Sequence, residues 1–132
     1  HEITSVQARR MTKGTTEIVD DKAVIVLGFA DGSFGTINYL ANGAQSYPKE
    51  KIDVFAANKV LSLDNFRKLR GYGFGTFSKM NLWQQDKGQT ACAEAFIDAI
   101  SQGRPSPIPL AEILEVSKVT LQVADLLAQQ ED

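Results

Sequence analysis

One stretch constrains the fold of this 132-residue chain more than any other: "KAVIVLGFADGSFGTINYLA", residues 22 to 41. Its first half is apolar on both alternating sets, Ala23, Ile25, Leu27 and Phe29 against Val24, Val26 and Ala30. A strand of that pattern is covered on both faces and lies centrally in a sheet. Asp31 and Gly32 follow. Such a pair adopts positive backbone dihedrals cheaply, which predicts a tight two-residue hairpin with "SFGTINYLA" running back as its second strand. The chain is committed to antiparallel pairing.

Further strands are predicted on either side. Residues 3 to 10, "ITSVQARR", alternate weakly and suit an edge strand, with "MTKGTTE" as a connection. Residues 42 to 50, "NGAQSYPKE", read as a loop within one domain. "KIDVFAA" is a strand that turns at Asn58 and Lys59 into "VLSLD". From Lys87 the period changes: Ala91, Cys92, Ala95, Phe96, Ala99 and Ile100 form a helical stripe that Gly103 is placed to end. "RPSPIP" interrupts, because its prolines lack backbone donors. A last helix then carries Leu110, Ile113, Leu114, Leu121, Ala124 and Ala128, widened by Val116, Val119, Val123 and Leu127. Strands first and helices last predict an α+β fold in one domain over residues 1–132, a mostly antiparallel β-sheet covered on one face by two C-terminal helices.

Several classes of chemistry are excluded. Cys92 is the only cysteine and His1 the only histidine, so neither a structural zinc site nor a Ser-His or Cys-His nucleophile pair can be assembled. The expectation is a small buried hydrophobe at Cys92 and no role for His1. No apolar run reaches transmembrane length and the first fifteen residues are mostly polar, which points to no membrane and a cytoplasmic protein.

"RGYGFGTF", residues 70 to 77, fits seven of the eight positions of an RNA-recognition octamer. Its context does not fit. "VFAANK", residues 54 to 59, imitates the companion motif, but only ten residues separate Lys59 from Arg70, and an intervening helix and strand need roughly 16 to 18. Gly75 stands where a β-branched residue belongs. Fourteen Lys and Arg against sixteen Asp and Glu give a net charge of -2, whereas nucleic-acid binders show a basic excess. Arg67, Lys68, Arg70, Lys79 and Lys87 form a locally basic run against Asp86 alone, read as a solvated face. No nucleic acid is expected, and the glycines fail equally as a phosphate loop.

"VDDKAVIVLGFADGSFGTINYLANG", "SYPKEKIDVFAANKVLSLDNF", "DKGQTACAEAFIDAI" and "PSPIPLAEILEV" stand in this order. Together they resemble the C-terminal domain of the Gfo/Idh/MocA oxidoreductases, over nearly all of Asp20 to Leu127. The resemblance implies a partner in the chain's own N-terminal Rossmann domain, NAD or NADP bound there, and hydride transfer on a sugar, cyclitol or related polyol. The Glu-Lys-Pro motif that carries that family's catalytic lysine has no counterpart here, nor has its glycine-rich dinucleotide turn. The resemblance therefore implies a C-terminal part that is inactive alone, with no catalytic and no cofactor-binding residue of its own. By the same likeness, the loop before "KIDVF" reaches the substrate cleft, and its candidates are Tyr47 and Lys49, which can donate to a polyol oxygen; the alternative is that both simply face solvent. Trp83 is expected in the core, with an oligomer contact as the other use, and the open sheet face is expected to form a homo-oligomer. A free-standing module, binding a small ligand or RNA through residues 70–77, is the rival reading.

Overall fold

The computed structural model describes residues 1–11 and 22–130, so the "MTKGTTE" connection falls almost wholly outside the described residues. In chain order the elements are β1 (Ile3–Arg10), β2 (Lys22–Phe29), β3 (Phe34–Leu40), β4 (Lys51–Ala56), β5 (Lys59–Asp64), β6 (Lys68–Tyr72), β7 (Lys79–Asn81), α1 (Gln89–Ser101) and α2 (Leu110–Ala128). The class is α+β and every described strand pair is antiparallel. The strands divide over two sheets, β1-β2-β3 and β4-β5-β6-β7. The chain likewise divides into two compact units, His1–Gly43 with Pro105–Asp132, and Ala44–Arg104. The boundary lies in the 42–50 loop, whose Gly, Ser and Pro carry no ladder from β3 to β4.

In the first unit β2 is central, as its two apolar faces require, with Ile25 opposite both Ala8 and Ile37. The hairpin that follows is one residue longer than expected. Gly32 N–H donates to Phe29 O and Phe29 N–H to Ser33 O, and Gly32 alone is left-handed, at φ 84°. This is a three-residue loop closed by a bulge. Asp31 stays out of the left-handed region because its carboxylate is engaged, accepting from Ser33 N–H at 3.0 Å and Ser33 Oγ at 2.6 Å. Those bonds, the hydroxyl's first, hold the exposed Asp31 carboxyl below its ordinary pKa. His1 Nε2 lies 3.2 Å from the same carboxylate.

Helix α2 packs on the edge strand β1. Ile3 N–H donates to Glu115 Oε1 at 2.8 Å, while Arg10 N–H donates to Gln130 Oε1 and Gln130 Nε2 donates to Ala8 O at the other end. The lengths match: the fifteen steps from Glu115 to Gln130 rise about 22 Å at helical pitch and the seven steps from Ile3 to Arg10 about 23 Å as strand. The helix runs alongside β1 and satisfies polar groups of its free edge. Its inward residues are Glu115, Val119, Val123, Leu126 and Leu127, followed by Gln130 just beyond its end. Leu110, Ile113, Leu114 and Leu121, expected to lead the apolar stripe, are exposed.

The second unit is a four-stranded meander followed by α1. Ala57 and Asn58, at φ 49° and 58°, form the β4–β5 turn, one residue earlier than the sequence suggests, and Ala56 pairs with Lys59. Asn65 and Phe66 repeat the left-handed pair between β5 and β6. At the end of α1, Gly103 is left-handed at φ 60°, Arg104 N–H donates to Ala99 O and Gly103 N–H to Ile100 O. These are the crossed bonds of a glycine C-cap. Ala99 is the only buried residue of that helix. Cys92, expected inside, is exposed.

Candidate functional site

Tyr47 and Lys49 lie together on the 42–50 loop, both exposed. A turn closed by Tyr47 N–H donating to Ala44 O sets the position of Tyr47. The Lys51 ammonium sits 5.9 Å from the centre of its ring, a cation–π contact that orients the ring and leaves its hydroxyl open. Lys49 makes no polar contact among the described residues. The loop therefore offers one phenol and one ammonium as donors for a hydroxylated ligand, and neither is committed elsewhere.

The octamer resolves into a hairpin. Arg70, Gly71 and Tyr72 end β6, and residues 73 to 78 lead into β7. Phe74 and Phe77 pack edge to face with centroids 6.2 Å apart, directly over Gly71, where a Cβ would stand 2.6 Å from Phe77 and 3.0 Å from Phe74. Gly73, at φ 78°, passes the Asn58 carbonyl just as tightly. Lys59 covers the Phe74 ring. Gly71 is thus a steric necessity of the aromatic cluster and Gly73 of the close pass by Asn58, whereas a Cβ at Gly75 would meet nothing within 4 Å; two of the three aromatics are half-buried.

Register assigns the outer face of this sheet. Opposite residues share a face and alternate along each strand, so the row Lys51, Asp64, Lys68, Asn81 and the row Asp53, Ser62, Arg70, Lys79 point the same way. The intervening row Ile52, Leu63, Leu69, Met80 points to the other side. Both acids lie on β4 and β5, whereas the charged residues that β6 and β7 bring to this face, beside Tyr72 and Asn81, are the cations Lys68, Arg70 and Lys79. The basic run is legible in the sequence; the pairing of Arg70 with Lys79 is visible only in the register.

Residues 82 to 88 are irregular but firmly held. Leu82 N–H donates to Arg67 O and Arg67 Nε returns a bond to Leu82 O. Gln85 Nε2 donates to Asn65 O and Oδ1, Asp86 N–H to Phe66 O, and Lys87 pairs with Glu50. This anchored loop presents Trp83, which is 90% exposed. The core position expected for it is thus corrected: the loop is tied down by its bonds to Arg67, Asn65 and Phe66, and the indole is left outside.

Among the described residues no three His, Cys, Asp or Glu are placed to hold a metal ion, and no helix is long and apolar enough to cross a membrane. No family model and no curated protein matches the sequence. Among solved structures the chain is similar to UDP-N-acetylglucosamine 3-dehydrogenase GnnA from Acidithiobacillus ferrooxidans, with a TM-score of 0.75 at 20% identity over 96% of this chain. The chain spans 41% of the length of that enzyme. In fold, it is similar to part of a Gfo/Idh/MocA oxidoreductase.

Proposed function

We propose that this chain is the C-terminal, substrate-cleft and oligomerisation part of an NAD(P)-dependent Gfo/Idh/MocA oxidoreductase that acts on a sugar, cyclitol or related polyol. The observation that carries the reading is the fold likeness, which covers nearly all of this chain and well under half of the dehydrogenase. The order of the "FADGSFGTI", "DKG" and "PSPIP" pieces along the sequence supports it independently.

The chemistry divides between the two halves of such an enzyme. Hydride transfer needs a nicotinamide held against the carbon that bears the hydroxyl. A dinucleotide site is built from a parallel βαβ unit with a glycine-rich turn opening its helix. Every described strand pair here is antiparallel and no such turn is present, so these residues do not fit the cofactor. NAD or NADP belongs to the N-terminal Rossmann domain, together with the catalytic lysine. This chain contributes the facing wall, with Tyr47 and Lys49 donating to hydroxyl oxygens of the substrate, in a cytoplasmic homo-oligomer.

Calorimetric titration of the 132-residue chain with NAD and with NADP is expected to show no binding, and micromolar affinity for either overturns the division of labour. The full-length protein, supplied with either cofactor, is expected to oxidise a sugar or cyclitol with the absorbance change of nicotinamide reduction. Silence across both cofactors and a panel of sugars, cyclitols and sugar nucleotides defeats the reading.

A further inference from the structure

We propose that the outer face of the β6–β7 hairpin binds a nucleoside diphosphate, with its phosphates on Arg70 and Lys79 and its base stacked on Trp83. The proposal rests on the oxidoreductase reading only in making that nucleotide the carrier of a sugar substrate. Arg70 and Lys79 are directly opposite in the ladder, about 5 Å apart at Cβ, an arrangement that repels and destabilises a sheet unless an anion lies between the charges. Neither has an ion-pair partner among the described residues. Lys68 adds a third cation one row along, where it faces Asn81 across the β6–β7 pair and Asp64 on β5. A planar guanidinium beside a flexible ammonium suits a phosphate group, one giving a paired fork and the other a movable point charge.

Two residues beyond Asn81 stands Trp83, 90% exposed on a loop fixed by its bonds to Arg67, Asn65 and Phe66. A preorganised aromatic with its face open is a stacking platform, which tolerates any base. The amides of Asn81 and Gln84 flank it without partners among the described residues and can meet a base edge. The competing explanation for Lys79 is protection of the edge strand β7 against other strands. That role requires neither an opposing Arg70 nor an exposed tryptophan on an anchored loop.

The test is calorimetry with UDP on the full-length protein, without cofactor, comparing the native chain with Trp83→Ala, with Arg70→Gln/Lys79→Gln, and with Lys118→Gln as a control for lost charge elsewhere. UDP is expected to bind the native chain and the control alike. The double variant weakens it at least tenfold and abolishes its salt dependence, while Trp83→Ala weakens both UDP and uridine about tenfold. UDP affinity unchanged in the variants, or absent from the native chain, overturns the site. A decauridylate that binds orders of magnitude tighter than UDP also overturns it, by identifying a single-strand surface. Because UDP binding needs no turnover, loss of the oxidoreductase reading with the site intact, and loss of the site with sugar oxidation intact, are separate results.

Discussion

Asp31 sits in a hairpin whose sequence advertises a turn, and the structure shows that its side chain does more there than its backbone. The Ser33 hydroxyl and amide stabilise the ionised carboxylate, so the folded pKa is lowered. A carboxylate of this kind contributes stability above its ordinary value of 3.8, and the contribution disappears as pH falls through the lower folded value. Carboxyl carbon shifts followed by NMR should therefore give Asp31 a midpoint below the ordinary one, and Ser33→Ala should move it upward. An unmoved midpoint would show that the bonds do not persist in solution. The octamer glycines give a second residue-scale result. Gly71→Ala drives a methyl group into the Phe74 and Phe77 rings and should cost about 1–3 kcal/mol. Gly75→Ala, with nothing within 4 Å of the added carbon, should leave the melting temperature almost unchanged. Equal losses at both positions would refute the packing account. A motif scan sees three similar glycines, because spacing in the sequence does not record which one lies beneath an aromatic ring.

At the level of elements, the strands of the first unit were legible and the facing of the helices was not. β2 reads as central because both of its alternating sets are apolar. Helix α2 is apolar nearly all round, so its 3.6-residue period cannot name the face that turns inward. The polar ends decide: Glu115 and Gln130 hydrogen-bond to the two ends of β1, which rotates Val119, Val123 and Leu127 inward. Leu127 is 9% exposed, so Leu127→Ala should destabilise the unit by about 2–5 kcal/mol in denaturant titration. Leu121, on the opposite side and exposed, should tolerate the same change within about 0.5 kcal/mol. The reverse ranking would mean that the stripe expected from sequence is the inner one. The loop that carries Tyr47 and Lys49 is legible from its Asn, Gly, Ser and Pro, whereas a role for the two side chains toward a substrate rests on the resemblance alone. The Arg70 and Lys79 pair eluded sequence reading because eight residues separate them in the chain and only the ladder brings them together.

For the molecule as a whole, the decisive quantity is how little is buried. Among the described residues the only buried apolar ones are Ala23 and Leu127 in the first unit and Ala99 in the second, while Phe34, Tyr39, Ile97, Ile100, Leu110 and Leu114 all stand open. A chain of this length ordinarily hides well over half of the surface it exposes when unfolded, and large open apolar areas mark surfaces that another body covers. The proposed Rossmann domain and a second copy are the two candidates, and their signatures differ. The 132-residue chain alone should bind a hydrophobic dye strongly and sediment as a concentration-dependent mixture. The full-length protein should lose the dye signal and sediment as a discrete oligomer. Ile37→Lys, on the exposed edge strand β3, should then lower the mass of that oligomer while leaving its circular dichroism unchanged, since the charge removes an intersubunit contact without entering either core. A dye-silent monomer from the isolated chain would mean that its open apolar residues close on one another in solution, and would remove the physical basis for assigning it a partner.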